Sequence, residues 1–289
     1  MADTPKVSRR LIDGHTHIGA LGAFKYYDLK EPLNVTVYEF DDTKDYIKNH
    51  LDKYNIERSL VISNYGVPIQ EQPFSLNPLV IESTQASDRL YGAIWTSWLP
   101  RNRELTMEAL KHAREKGIVA LKITFLLGGT PDPNKWDDET REIATACLET
   151  AEKYDLAYHF HTSPGGNADI SNYVPLVEQW GKRVKMYLVH CGGGVSGQIK
   201  LVPKFLDWVE QGYKVWTDVT WTTGFGPRLL LTEIERRGVG YDRVLFSSDE
   251  PWSDFWGEYW KIQGAPVSEE LKDRVFYQNF LDLYGDKVK

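Results

Sequence analysis

A chain of 289 residues, 42% of them hydrophobic and 26% charged, has the length of one large domain or two small ones, a range that includes large α/β barrels. Its net charge of −7, with no basic cluster, argues against a nucleic-acid footprint. No run approaches the roughly 18 apolar residues of a membrane helix.

The first ten residues lack the apolar segment of a signal peptide, and Cys147 and Cys191 lie too far apart in sequence to form a C-x-x-C motif. A cytoplasmic protein is expected. The first apolar run stops at His15-Thr-His17, two histidines at i, i+2, which a β-strand turns to the same side. From Ile18 to Phe40 the chain has glycines, a proline and five aromatic residues but no period, and is expected to be a functional loop. Asp41-Asp42-Thr43 then caps a helix through Tyr54, and Ser59–Ser63 is a strand followed by a loop from Tyr65 to Phe74.

The alternation then repeats. Helices are expected over Ser75–Ser87, Glu104–Lys116, Asp137–Tyr154, Ser171–Gly181, Lys200–Gln211 and Pro227–Arg237. Each leads to a strand: Leu90–Trp95, Val119–Phe125, Leu156–His161, Val184–His190, Lys214–Val219 and Arg243–Ser248. Ser268 caps a last helix through Leu283. Eight strand–helix units at this length predict an α/β fold, a single (β/α)8 TIM barrel spanning residues 1–289 as one domain.

Five of the seven histidines end strands in this reading: His15, His17, His159, His161 and His190. Asp249 ends the eighth. A barrel brings these strand ends to one mouth, where imidazoles and a carboxylate suit a divalent metal such as Zn²⁺.

Asp13-Gly-His15-Thr-His17, His161-Thr-Ser, Leu188-Val-His190-Cys-Gly-Gly, Ser248-Asp249-Glu-Pro and the closing run Val275–Gly285 resemble the amidohydrolase superfamily. The closer likeness is to its amidohydrolase 2 branch of compact metal-dependent hydrolases and decarboxylases. The resemblance implies His15, His17, His161 and Asp249 around a metal, Zn²⁺ with Mn²⁺ as the alternative, one per chain rather than two. It places His190 beside the metal as a catalytic residue that orients a substrate oxygen or the water, and gives Asp249 the role of base toward a metal-activated water.

Lys122, charged inside an apolar strand, is costly unless paired. In binuclear members of the superfamily a lysine here is carbamylated and bridges two metals; a plain amine is expected in this chain. His159 sits one layer deeper than His161 and reads first as a histidine beneath the site. It is carried with Lys122, Trp221 and Trp252 as a substrate-contacting candidate. Trp95, Trp98 and Trp216 also fall near strand ends and would add to an aromatic pocket. Arg101 and Arg228 could meet a substrate carboxylate or be solvated, and His50 and His112 are expected on the surface.

The expected function is a metal-dependent hydrolase opening a lactone or related cyclic ester or amide. The alternative is a decarboxylase of an aromatic or unsaturated acid using the same residues. A barrel that only binds a ligand is a third reading, which the intact set of histidines and Asp249 argues against. The expected partner is a small-molecule substrate, with neither nucleic acid nor membrane, and a homo-oligomer is left open.

Overall fold

The computed structural model describes residues 7–19, 40–64, 76–222 and 224–288. Most of the expected loops after the first and second strands lies outside the described residues. Among the described residues seven parallel strands form one curled sheet in sequence order: β1 (Ile12–Ile18), β2 (Arg58–Ser63), β3 (Leu90–Trp95), β4 (Ile118–Ile123), β5 (Ala157–His161), β6 (Lys185–Val189) and β7 (Val215–Thr217). Helices separate consecutive strands, which is the order a parallel sheet demands, since each crossover must return the chain to the same end.

The eighth expected strand is not a regular one. Val244 makes an isolated parallel bridge to Thr217. Past it the backbone bonds to both sides of the seam: Leu245 N–H to Thr217 O at 3.0 Å, and Phe246 O to Gly14 N–H at 2.9 Å. Ser248 N–H is then taken by the Asp13 side chain at 2.9 Å rather than by a neighbouring carbonyl. Residues 243–249 therefore close the barrel between β7 and β1 without a continuous ladder. Gly14 allows this approach, because a Cβ there would lie 3.0 Å from Phe246 O.

Two layers of apolar side chains hold the barrel. The larger packs the outer sheet face against the helices. The smaller fills the interior, where Ile12, Leu60, Ala93, Tyr187 and Trp216 meet Phe280, Leu283 and Tyr284. The last three belong to or follow from the C-terminal helical region, which plugs the bottom. Where one continuous helix is expected after Ser268, the chain forms Glu269–Asp273, a wide turn at Arg274–Gln278 and then Asn279–Tyr284. The helix expected over 43–54 likewise widens at Ile47–Asp52.

A helix not anticipated from sequence, Phe255–Gln263, follows the closing segment. Asp254 caps it by accepting from Gly257 N–H at 2.7 Å. Among the described residues no helix is long and apolar enough to cross a membrane.

Candidate active site

Adjacent strands place Trp95 beside Lys122, Lys122 beside His159, and His159 beside Tyr187. Side chains alternate along a strand, so this register sends all four toward the barrel interior. His161, two residues beyond His159, points the same way one layer higher. His159 accordingly sits beneath the site. Its ring stacks on Tyr187 at 4.3 Å, and its Nε2 lies 2.8 Å from Tyr284 Oη on the plug.

Above that floor, His15, His17 and Asp249 bring three ligand atoms within 4.8 Å of one another. His17 Nδ1 faces Ser63 O at 3.3 Å; a carbonyl only accepts, so that nitrogen carries a proton. Its other ring nitrogen, Nε2, faces Asp249 Oδ1 at 3.1 Å. His15 Nε2 lies 3.4 Å from the same oxygen and is buried without a hydrogen-bond partner among the described residues. Two imidazole nitrogens and a carboxylate oxygen gathered around one point, one nitrogen orphaned, are a donor set for a divalent cation such as Zn²⁺ or Mn²⁺.

The electrostatics agree. Burial drives His15 and His159 well below the usual imidazole value, with the Lys122 charge adding to the effect. Burial, then the same lysine, takes His161 down to about 3. Neutral imidazoles keep the lone pairs that ligation needs.

His161 stands apart from the trio. Its ring meets His190 edge-on at 4.7 Å and lines the pocket. His190 is held by Thr220 Oγ1, 2.5 Å from Nδ1. Burial, then the neighbouring His161 and Lys122, lowers its pKa well below the usual value. Asp218, just past β7, accepts from His190 N–H at 3.1 Å. Burial raises Asp218 to about 6 against the opposing pull of its Thr220 hydrogen bonds.

These groups open into a cavity of about 510 Å³, whose lining includes Trp95, Trp221 and Trp252. Trp221 donates through Nε1 to Asp249 Oδ2, and Trp252 Nε1 donates to Asn64 Oδ1 at 2.9 Å. Of the five tryptophans expected at the mouth, Trp98 and Trp216 instead pack internally, against Phe125 and Arg243.

Lys122 also faces the cavity. Burial brings its pKa down to about 8, while Asp249 and Asp218 pull it the other way. Its Nζ lies 5.7 Å from the Trp95 ring centre, and it forms no ion pair among the described residues. Arg101 and Arg228 are exposed and do not line the cavity.

His50 corrects the expectation of a surface residue: it is fully buried. Nε2 lies 3.0 Å from Asp13 Oδ2 and Nδ1 2.7 Å from Glu250 Oε2, while Tyr54 Oη donates to Glu250 Oε1 at 3.0 Å. Burial alone would lower its pKa, but the two carboxylates outweigh it and raise it to about 9. Sequence reasoning passed over Asp13, Glu250, Asp218 and Thr220 as well. The available signal was an acid inside an apolar run, at Asp13 in the first and Asp218 in the seventh.

Backbone strain collects here too. His190, Trp221 and Asp249 have φ of 71°, 57° and 54°, a left-handed conformation costing roughly 1–2 kcal/mol for a residue with a Cβ.

The barrel is similar to several solved enzymes. They include 5-carboxyvanillate decarboxylase of Sphingomonas paucimobilis (14% identity, TM-score 0.67, 96% of this chain and 99% of that one). Another is 2,6-dihydroxybenzoate decarboxylase from Rhizobium (13%, 0.68, 96% and 98%). A third is a dihydroxybenzoic acid decarboxylase from Polaromonas with bound manganese and 2-nitroresorcinol (14%, 0.67, 96% and 97%). At such identities the likeness shows a shared fold. No curated protein matches the sequence. The amidohydrolase family profile, by contrast, matches residues 12–285, from the first strand to the C-terminal plug. With nearly its whole length inside that match, the chain belongs to the amidohydrolase superfamily, in the amidohydrolase 2 branch.

Proposed function

We propose that this protein is a metal-dependent decarboxylase, a lyase acting on an aromatic or unsaturated carboxylic acid. The observation that carries the reading is a cavity pairing the buried Lys122 ammonium with aromatic walls beside the His15–His17–Asp249 trio. Such a pocket suits a flat anion: the ring packs on Trp95, Trp221 and Trp252, and an anionic oxygen meets Lys122. The solved enzymes of the same fold that decarboxylate hydroxylated benzoates support this choice over lactone opening.

His15, His17 and Asp249 would hold one divalent ion, with His161 across the pocket as the remaining candidate ligand. Bound there, the ion would supply a Lewis acid toward substrate oxygens. The chain's own residues then have distinct tasks. Lys122 and the tryptophans fix the ring's orientation, and the apolar walls exclude water from the reacting carbon.

Decarboxylation puts a proton on the carbon bearing the carboxylate; that C–C bond breaks, its electron pair returns to the ring, and CO₂ departs. Asp249 Oδ2, turned from the histidines toward Trp221, is the atom assigned to carry that proton.

Lactone opening would employ the same carboxylate with the proton moving toward it. Assays with a panel of hydroxylated benzoates and unsaturated acids, read as CO₂ release, and with lactones, read as acid release, separate the two. CO₂ from an aromatic or unsaturated acid is the expected result. Acid release from lactones alone would overturn the decarboxylase reading.

A further inference from the structure

Asp218 Oδ1 gathers three donors: His190 N–H at 3.1 Å, Thr220 N–H at 2.9 Å and Thr220 O–H at 2.5 Å. All three residues are buried. An oxygen that already accepts two backbone N–H groups has no proton to give, so the single proton of the Thr220 hydroxyl points at Asp218. The hydroxyl then has only lone pairs left for His190 Nδ1, 2.5 Å away. That contact is a hydrogen bond only if Nδ1 carries the proton.

We propose that Thr220 is a positioning residue that, with Asp218, fixes the His190 proton on Nδ1 and leaves Nε2 as the ring nitrogen that faces the cavity as an acceptor. Substrate meets Nε2; Thr220 and Asp218 act through His190. The side chain is also held in angle, because Asp218 binds the backbone N–H of the same residue whose ring Thr220 binds. This clamp retains His190 at a positive φ of 71°. The effect on turnover rests on the proposed decarboxylase activity, whereas the tautomer does not.

The test is a long-range ¹H–¹⁵N spectrum of the histidine side chains in ¹⁵N-labelled protein, purified with zinc as the added metal. The His190 signals are identified by their loss in His190→Gln. The expected pattern is a protonated Nδ1 and an unprotonated Nε2, retained in Thr220→Ser and lost or mixed in Thr220→Val. In assays with the acid that the wild-type protein decarboxylates, Thr220→Val should lower kcat about 10-fold or more with KM within about threefold, and Thr220→Ser should restore it.

A protonated Nε2 in the wild-type chain overturns the inference, as does a Thr220→Val spectrum unchanged from wild type. Should Thr220→Val not fold, the wild-type and Thr220→Ser spectra still decide. The expected tautomer in a protein that decarboxylates nothing would refute the proposed function and leave the clamp standing.

Discussion

His50 Nε2 lies 3.0 Å from Asp13 Oδ2, so a side chain from the first helical segment grips the strand carrying His15 and His17. The opposite ring nitrogen grips Glu250, next to Asp249. One imidazolium thus joins both segments whose side chains meet in the site. Replacing it with Leu leaves two buried carboxylates without their cation, a loss of about 3–5 kcal/mol. Denaturant unfolding of His50→Leu against wild type checks this, and a loss below 1 kcal/mol would dismiss the ionic grip.

The same grip should depend on pH. With the folded pKa raised from 6.5 to about 9, the stability His50 contributes is full below pH 6.5 and fades as pH rises through 9. The contribution is on the order of 3 kcal/mol. It is read as the difference in unfolding free energy between wild type and His50→Gln from pH 6 to 10. A difference that stays flat across that range would mean that folding does not raise the His50 pKa.

Asp249→Asn keeps the shape of the side chain but cannot carry the reacting proton. Turnover should fall by at least about 100-fold, while a benzoate probe still quenches tryptophan fluorescence through the aromatic walls. Turnover close to wild type would remove Asp249 as the proton carrier.

Lys122→Met removes the cation and retains much of its length. Loss of a charge-assisted contact of about 1.5–3 kcal/mol corresponds to roughly 10–100-fold weaker benzoate binding. Titration by fluorescence quenching measures it without turnover. Equal affinity in both proteins would put the anion elsewhere.

Gly197→Ala tests the turn that presents His190. The new Cβ would sit 1.8 Å from Gly192 O, a backbone atom that cannot move without moving residues 190–194. A loss of about 2 kcal/mol or more is expected. Gly224→Ala, where a Cβ would meet nothing within 4 Å among the described residues, is the control. Equal melting temperatures for the two variants would contradict this packing.

The barrel was legible because strand–helix alternation is a local pattern repeated along the chain, and the strand-end histidines stood out against apolar runs. The seam was not. Whether Arg243–Ser248 pairs regularly depends on Asp13 capturing Ser248 N–H, a contact spanning 235 positions. His50 misled for a related reason: its helical surroundings look solvated, and its partners are Asp13 and Glu250, the second 200 positions away. The His15–His17–Asp249 trio was anticipated, whereas the turn of His161 toward His190 depends on side-chain packing that spacing does not encode.

The closing seam has a consequence for assembly. His17 and Asp249 are separated by 232 positions, and they face each other only after residues 243–249 have docked beside β1. A cation gripped by both would act as a clasp across the last joint of the ring, binding the closed chain and not the open one. The melting temperature should therefore climb with the concentration of free metal by mass action. Hydrogen exchange should slow most along the two edges that the clasp draws together.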